Sequence, residues 1–106
     1  MFIAWTTLAT RADAEKLAAE VVALGLAACV QVDGPIISHY VWQGRPERVE
    51  EFRLCLKCLP DKFSSLETYV LAHHPYETPE WIVVPASRVG EKYLSWAKAN
   101  PTNLPL

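Results

Sequence analysis

The chain is 106 residues long, 51% apolar and 21% charged, which suits one globular domain spanning residues 1–106 and excludes a disordered, collagen-like or low-complexity chain. Ten basic residues against twelve acidic ones leave a net charge of −2 with no basic stripe, so neither nucleic acid nor a membrane surface is an expected partner. The longest uncharged apolar stretch, Val21 to Val32, is too short to span a bilayer and contains Gly25 and Gln31. The N-terminus lacks the basic segment of a secretory leader, and three cysteines make an odd count; reduced thiols in a cytoplasmic protein are the expectation.

Phe2 to Leu8 is a short apolar run with threonines, suited to a buried strand. Thr10 and Asp13 then have the spacing of a capping box. Behind them Ala14, Leu17, Ala18, Val21 and Val22 recur at helical spacing, and Gly25 is placed to end that helix in a left-handed conformation. Leu26 to Val32 and Ile36 to Trp42 read as strand, with Asp33-Gly34-Pro35 as a bend or bulge between them. Gln43-Gly44-Arg45-Pro46 signals a turn, and a third strand runs from about Glu47 to Leu59. Its alternation sets Phe52, Leu54, Leu56 and Cys58 on one face and Glu51, Arg53, Cys55 and Lys57 on the other. Pro60-Asp61 opens a second helix with Phe63, Leu66, Val70 and Leu71 as its apolar stripe, ending before Pro75. Trp81 to Val84 is a fourth strand, and Glu91 to Ala99 a closing helix with Tyr93, Leu94, Trp96 and Ala97. The order is β-α-β-β-α-β plus a C-terminal helix: an α+β, ferredoxin-like pattern with a long β2-β3 hairpin. Both main helices cover one sheet face, and the other face is apolar enough to call for an oligomer.

Two clusters invite chemistry. Cys55-Leu56-Lys57-Cys58 has redox or zinc spacing, but strand alternation sends its two sulfurs to opposite faces, so the pair reads as structural. His73-His74-Pro75-Tyr76-Glu77-Thr78-Pro79-Glu80 lies between a helix end and a strand, where binding residues collect. Imidazole and carboxylate together suit Cu(II) or Zn(II). A histidine in the last turn of a helix is equally explained by the negative end of the helix dipole. Four glycines form no phosphate loop, and no nucleophile elbow is present. Tyr40, Trp42, Trp81, Tyr93 and Trp96 could stack nucleobases, yet without a basic groove they read as core and interface aromatics.

Leu26-Ala27-Ala28-Cys29-Val30, Tyr40-x-Trp42-x-Gly44, Lys57, His73-x-Pro75-Tyr76-x-x-Pro79-Glu80 and Tyr93-Leu94-x-Trp96 resemble, in order and spacing, the signature of the CutA family of divalent-cation tolerance proteins. The resemblance implies a homotrimer of ferredoxin-like protomers, no enzymatic reaction, no obligatory cofactor, and a response to metal ions with Cu(II) or another divalent cation as ligand. Its implied metal residues are His73, Glu80 and, beside them, His74; the position of a further cysteine ligand is held here by Thr6, a poor substitute for a thiolate. The alternative it implies is a scaffold similar to the PII signalling trimers, binding a small anionic ligand in intersubunit clefts. Glu51, Lys57, Tyr76 and Trp96, with Tyr40, Trp42 and Tyr93, would line that cleft or seal the trimer, and Lys57 would anchor the anion.

Overall fold

In a computed structural model, which describes residues 1–99, the elements follow the expected order. They are β1 (Phe2–Leu8), α1 (Arg11–Ala23), β2 (Cys29–Trp42), β3 (Arg45–Cys58), a 3₁₀ turn (Pro60–Lys62), α2 (Phe63–His73), β4 (Ile82–Pro85) and α3 (Glu91–Ala99). Residues 100–106 of the expected single domain lie outside the described residues. Helix α1 starts where the Thr10 hydroxyl accepts a hydrogen bond from the Asp13 N–H at 3.1 Å. At its end Gly25 takes φ 72°, and the N–H groups of Leu26 and Ala27 both turn back to the Val21 carbonyl. Those bonds hold residues 26–27 at the helix end, so β2 begins at Cys29 and not at Leu26.

The sheet order is β2-β3-β1-β4, with all neighbours antiparallel. Ala4, Thr6 and Leu8 of β1 share the helix-covered face with their β3 partners Leu56, Leu54 and Phe52. Ala14, Leu17 and Val21 of α1 and Leu66 and Val70 of α2 pack down on them as the core. Each large buried aliphatic side chain there stabilises the fold by about 1.5–3 kcal/mol. Val22 and Leu71, expected in the apolar stripes, are instead half-exposed at the margins of their helices. The opposite face carries Cys55 and Lys57 with Ile82 and Val84, and the latter two remain exposed.

β1 pairs with β3 only along Phe52–Cys58, so the outer half of the β2-β3 hairpin projects as a two-stranded ribbon. Its turn is the two-residue Gln43-Gly44, with φ 51° and 77°, which twists to match the strands and starts β3 at Arg45, two residues earlier than expected. One continuous β2 spans the Asp33-Gly34-Pro35 segment through a bulge: Asp33 pairs with Arg53, yet Ile36 pairs with Glu51. The extra residue reverses the face that β2 side chains take. Gln31 shares a face with Cys55 before the bulge, while Tyr40 and Trp42 share that same face with Glu51 beyond it. The bulge is held from the core side by Arg11, whose Nη2 donates to the Gly34 carbonyl at 3.1 Å and whose guanidinium lies 4.9 Å from the Phe52 ring centroid.

Gly34 has φ 144°, and a Cβ there would stand 2.7 Å from the Phe52 ring and 3.0 Å from the Glu51 carbonyl oxygen. Gly34→Ala is therefore expected to cost about 1–3 kcal/mol, read as a lower urea midpoint at unchanged slope. Gly44→Ala, at a position with open space around it, strains only the backbone and costs about 1 kcal/mol.

Candidate functional site

Where the ribbon leaves the sheet, its inner face, the end of β1 and the 76–80 loop enclose a cavity of about 820 Å³. That volume lies within the range of small-molecule pockets. Tyr40, Trp42, Glu51 and Tyr76 all line it, together with Thr7, His39, Glu50, Glu77 and Glu80. At its floor Glu51 is only 7% exposed, and the Tyr76 hydroxyl donates to its Oε2 at 2.8 Å. Burial, and then the Glu51 carboxylate it bonds, push the Tyr76 phenol well above its ordinary pKa, so its proton stays in this bond.

The two adjacent histidines take opposite roles. His74 is buried, with Nε2 2.9 Å from the Thr7 carbonyl and Nδ1 accepting the Tyr76 N–H at 3.1 Å. A carbonyl can only accept, so Nε2 carries the proton and both ring nitrogens are used. Desolvation lowers the His74 pKa against the opposing pull of the Thr7 carbonyl and Glu51, which suits this neutral tautomer. His74 thus ties the loop to the end of β1 and positions Tyr76, with its Nε2–H and its Nδ1 lone pair both engaged in these bonds. His73 is exposed, stacks on Tyr69 at 3.9 Å between ring centroids, and sets Nδ1 2.8 Å from the Tyr69 carbonyl. It opens on a smaller cavity of about 200 Å³, with Asp13, Lys16 and Glu20, whereas Glu80 lines the large one. Thr6 is fully buried on the helix-covered face and its Oγ1 has no partner among the described residues. No group of three or more His, Cys, Asp or Glu side chains that could hold a metal ion is found among the described residues.

The expected cleft residues divide between two places. Lys57, Tyr93 and Trp96 do not line the groove. Lys57 stands six residues along β3 from Glu51, about 20 Å at strand rise, and its Nζ donates to Gln31 Oε1. Tyr93 reaches the Cys29 thiol on the sheet face away from α1 and α2, and lies 5.5 Å from Trp96 between ring centroids. Within one protomer Lys57 therefore stands apart from Tyr76 and Trp42, because same-face alternation says nothing about distance along the strand; the cleft expected from the sequence is one between subunits. Cys58 is buried in the core, and desolvation raises its thiol pKa to about 11, while Cys55 takes the other face, as the alternation required. Thr7, His39 and Glu50 also line the groove without having been candidates from the sequence; the available signal was the run of acidic residues around Glu51.

Comparison with known proteins adds a second line of argument. The family model described as CutA1 divalent ion tolerance protein matches residues 2–100. A divalent-cation tolerance protein CutA of Yersinia pestis is 40% identical over 94 residues, spanning 89% of this chain and 79% of its own length. Among solved structures, CutA of Xylella fastidiosa superposes with a TM-score of 0.88 at 32% identity, covering 92% of this chain and 94% of its own. The protein described as a periplasmic divalent cation tolerance protein CutA from Archaeoglobus fulgidus gives 0.86 at 31% identity, covering 93% and 97%.

Two outcomes follow from the site's polar groups. Because folding lowers the His74 pKa from its ordinary 6.5, the unfolded chain binds the proton more readily. Stability is then full above about pH 6.5 and falls as the pH drops through that value toward the lower folded pKa. Thermal melts of the metal-free protein between pH 8 and 5 should show this decline, and His74→Gln should flatten it. Thr6→Val replaces an unpartnered buried hydroxyl by a methyl and should raise stability by about 1 kcal/mol in urea titration.

Proposed function

The chain belongs to the CutA1 divalent ion tolerance family, and on that footing we propose that it serves the response to divalent metal ions as a homotrimer, with Cu(II) or another divalent cation held by His73 and Glu80. The observation that carries the metal reading is the orientation of His73. With Nδ1–H directed to the Tyr69 carbonyl, its tautomer leaves the Nε2 lone pair outward on an exposed side chain, the arrangement found in metal-binding histidines. The carboxylate of Glu80 is a suitable second donor for a borderline cation.

Assembly is supported by what one chain leaves uncovered. A two-stranded ribbon is marginal by itself in water, and this one exposes Ile37 and, at 69%, Val41 on one face. Ile82, Val84 and Trp96 add exposed apolar surface at the sheet face and on α3. No reaction is proposed. Three free cysteines support a cytoplasmic location, and no described helix is long and apolar enough to cross a membrane.

Titrating Cu(II) into metal-free protein against a competing chelator should show saturable binding that weakens tenfold or more in His73→Ala and fades below about pH 6 as imidazole protonates. Equal, unsaturable uptake by both proteins would overturn the metal site. Size-exclusion chromatography with light scattering should give three chains per particle; a monodisperse monomer would overturn the assembly.

A further inference from the structure

The strand parity that separates Cys55 from Cys58 sends Cys55 to the sheet face away from α1 and α2, where it meets another cysteine. Cys29 pairs directly across from Lys57, and Gln31 directly across from Cys55, so all four side chains share that face. Cys29 and Cys55 are therefore diagonal neighbours on adjacent strands of one chain, both free and half-buried. Tyr93 of α3 hydrogen-bonds the Cys29 thiol and lies close enough to Cys55 to interact with it electrostatically, so both sulfurs gather beneath one phenol. Their spacing is set by the β2-β3 register, which is internal to the chain and the same in a lone protomer and in an assembly.

Diagonal positions lie about 7–8 Å apart at Cα, with the Cβ atoms somewhat closer. A disulfide needs Cβ atoms about 3.5–4.5 Å apart, so direct S–S bonding would require the strands to shift. A metal ion between the sulfurs fills the difference, since two bonds of about 2.3 Å in line set the sulfurs about 4.6 Å apart. The number of donors then selects the ion. Among the described residues no group of three or more His, Cys, Asp or Glu side chains could hold a metal, so the pair lacks the further donors that a structural zinc requires. Cu(I) is soft, favours thiolates, and is satisfied by two of them in line. Such a complex carries a net negative charge. Lys57 stands directly across from Cys29 and two residues along β3 from Cys55, where its ammonium balances that charge.

We propose that Cys29 and Cys55 form a two-thiolate site for Cu(I), each thiol releasing its proton to solvent as its Cu–S bond forms. The site uses neither His73 nor Glu80, so it stands or falls apart from the divalent-cation reading. Anaerobic titration of the assembled protein with Cu(I), against bathocuproine disulfonate as competitor, tests it. Binding should saturate at one ion per chain and raise an ultraviolet thiolate-to-copper charge-transfer band. Cys29→Ser and Cys55→Ser should each weaken binding about a hundredfold or more, because a hydroxyl is a poor donor to a soft ion. Cys58→Ala, on the opposite face, should leave the affinity unchanged. X-ray absorption at the copper edge of the unmutated complex should show two sulfur neighbours, and covers the case in which a variant does not fold. Unsaturable uptake, unchanged affinity in either folded serine variant, loss of affinity in folded Cys58→Ala, or nitrogen or oxygen neighbours at the copper would each overturn the proposal.

Discussion

A single extra residue in β2 governs this architecture. The side-chain period of a strand is two, so one inserted residue transfers everything beyond it to the other face. Before the bulge β2 sends Val30 and Val32 toward the helices; after it, Tyr40 and Trp42 turn to the face that carries Glu51. Gly34 makes the bulge feasible, because the Phe52 ring and the Glu51 carbonyl leave no room for a Cβ. Arg11 secures it by joining its carbonyl to the first turn of α1. Core packing and groove formation therefore share one backbone feature, and a disturbance at Gly34 reaches both.

The groove is completed by a short polar chain across elements distant in sequence. The Thr7 carbonyl holds His74, His74 holds the Tyr76 N–H, and the Tyr76 hydroxyl holds Glu51. Each bond uses a donor and an acceptor that are otherwise shut away from water, so the network keeps the loop against the sheet at little net cost. It also separates two neighbouring histidines into different tasks. His74 spends both nitrogens on structure, while His73, one residue earlier and still on α2, keeps a ring nitrogen outward. A sequence motif with two histidines thus contains one scaffold residue and one candidate ligand.

Much of the fold was legible from residue pattern. Thr10 with Asp13 set the start of α1, the alternation of Phe52, Leu54, Leu56 and Cys58 set the core face of β3, and the same parity dismissed the Cys55/Cys58 pair as a thiol site. Dispersed motifs from Leu26 to Trp96 pointed to the CutA family, which the family model and the Yersinia relative establish. The site was less legible. Tyr40, Trp42, Glu51 and Tyr76 were singled out and line one groove of a single chain, whereas Lys57, Tyr93 and Trp96, expected with them in a cleft between subunits, lie elsewhere on that chain. Val22 and Leu71 matched the helical period yet sit at its edge, since each apolar stripe is wider than the sheet area its helix covers.

The sequence by itself determined the order and type of the elements and the core-facing sides of α1, α2 and β3. These depend on short-range periodicity, capping and turn chemistry acting between residues a few positions apart; the family was legible separately, from the resemblance of dispersed motifs. Only the tertiary structure decided that Asp33-Gly34-Pro35 is a one-residue bulge within a continuous strand, and which face Trp42 therefore takes. It likewise decided that His74 is enclosed and His73 is not, and that Glu51 is buried. Those outcomes hinge on which groups meet across 25 to 67 positions of chain, as Tyr76 meets Glu51 and His74 meets Thr7. Local preference carries no record of such meetings; packing the sheet, the helices and the loop together creates them.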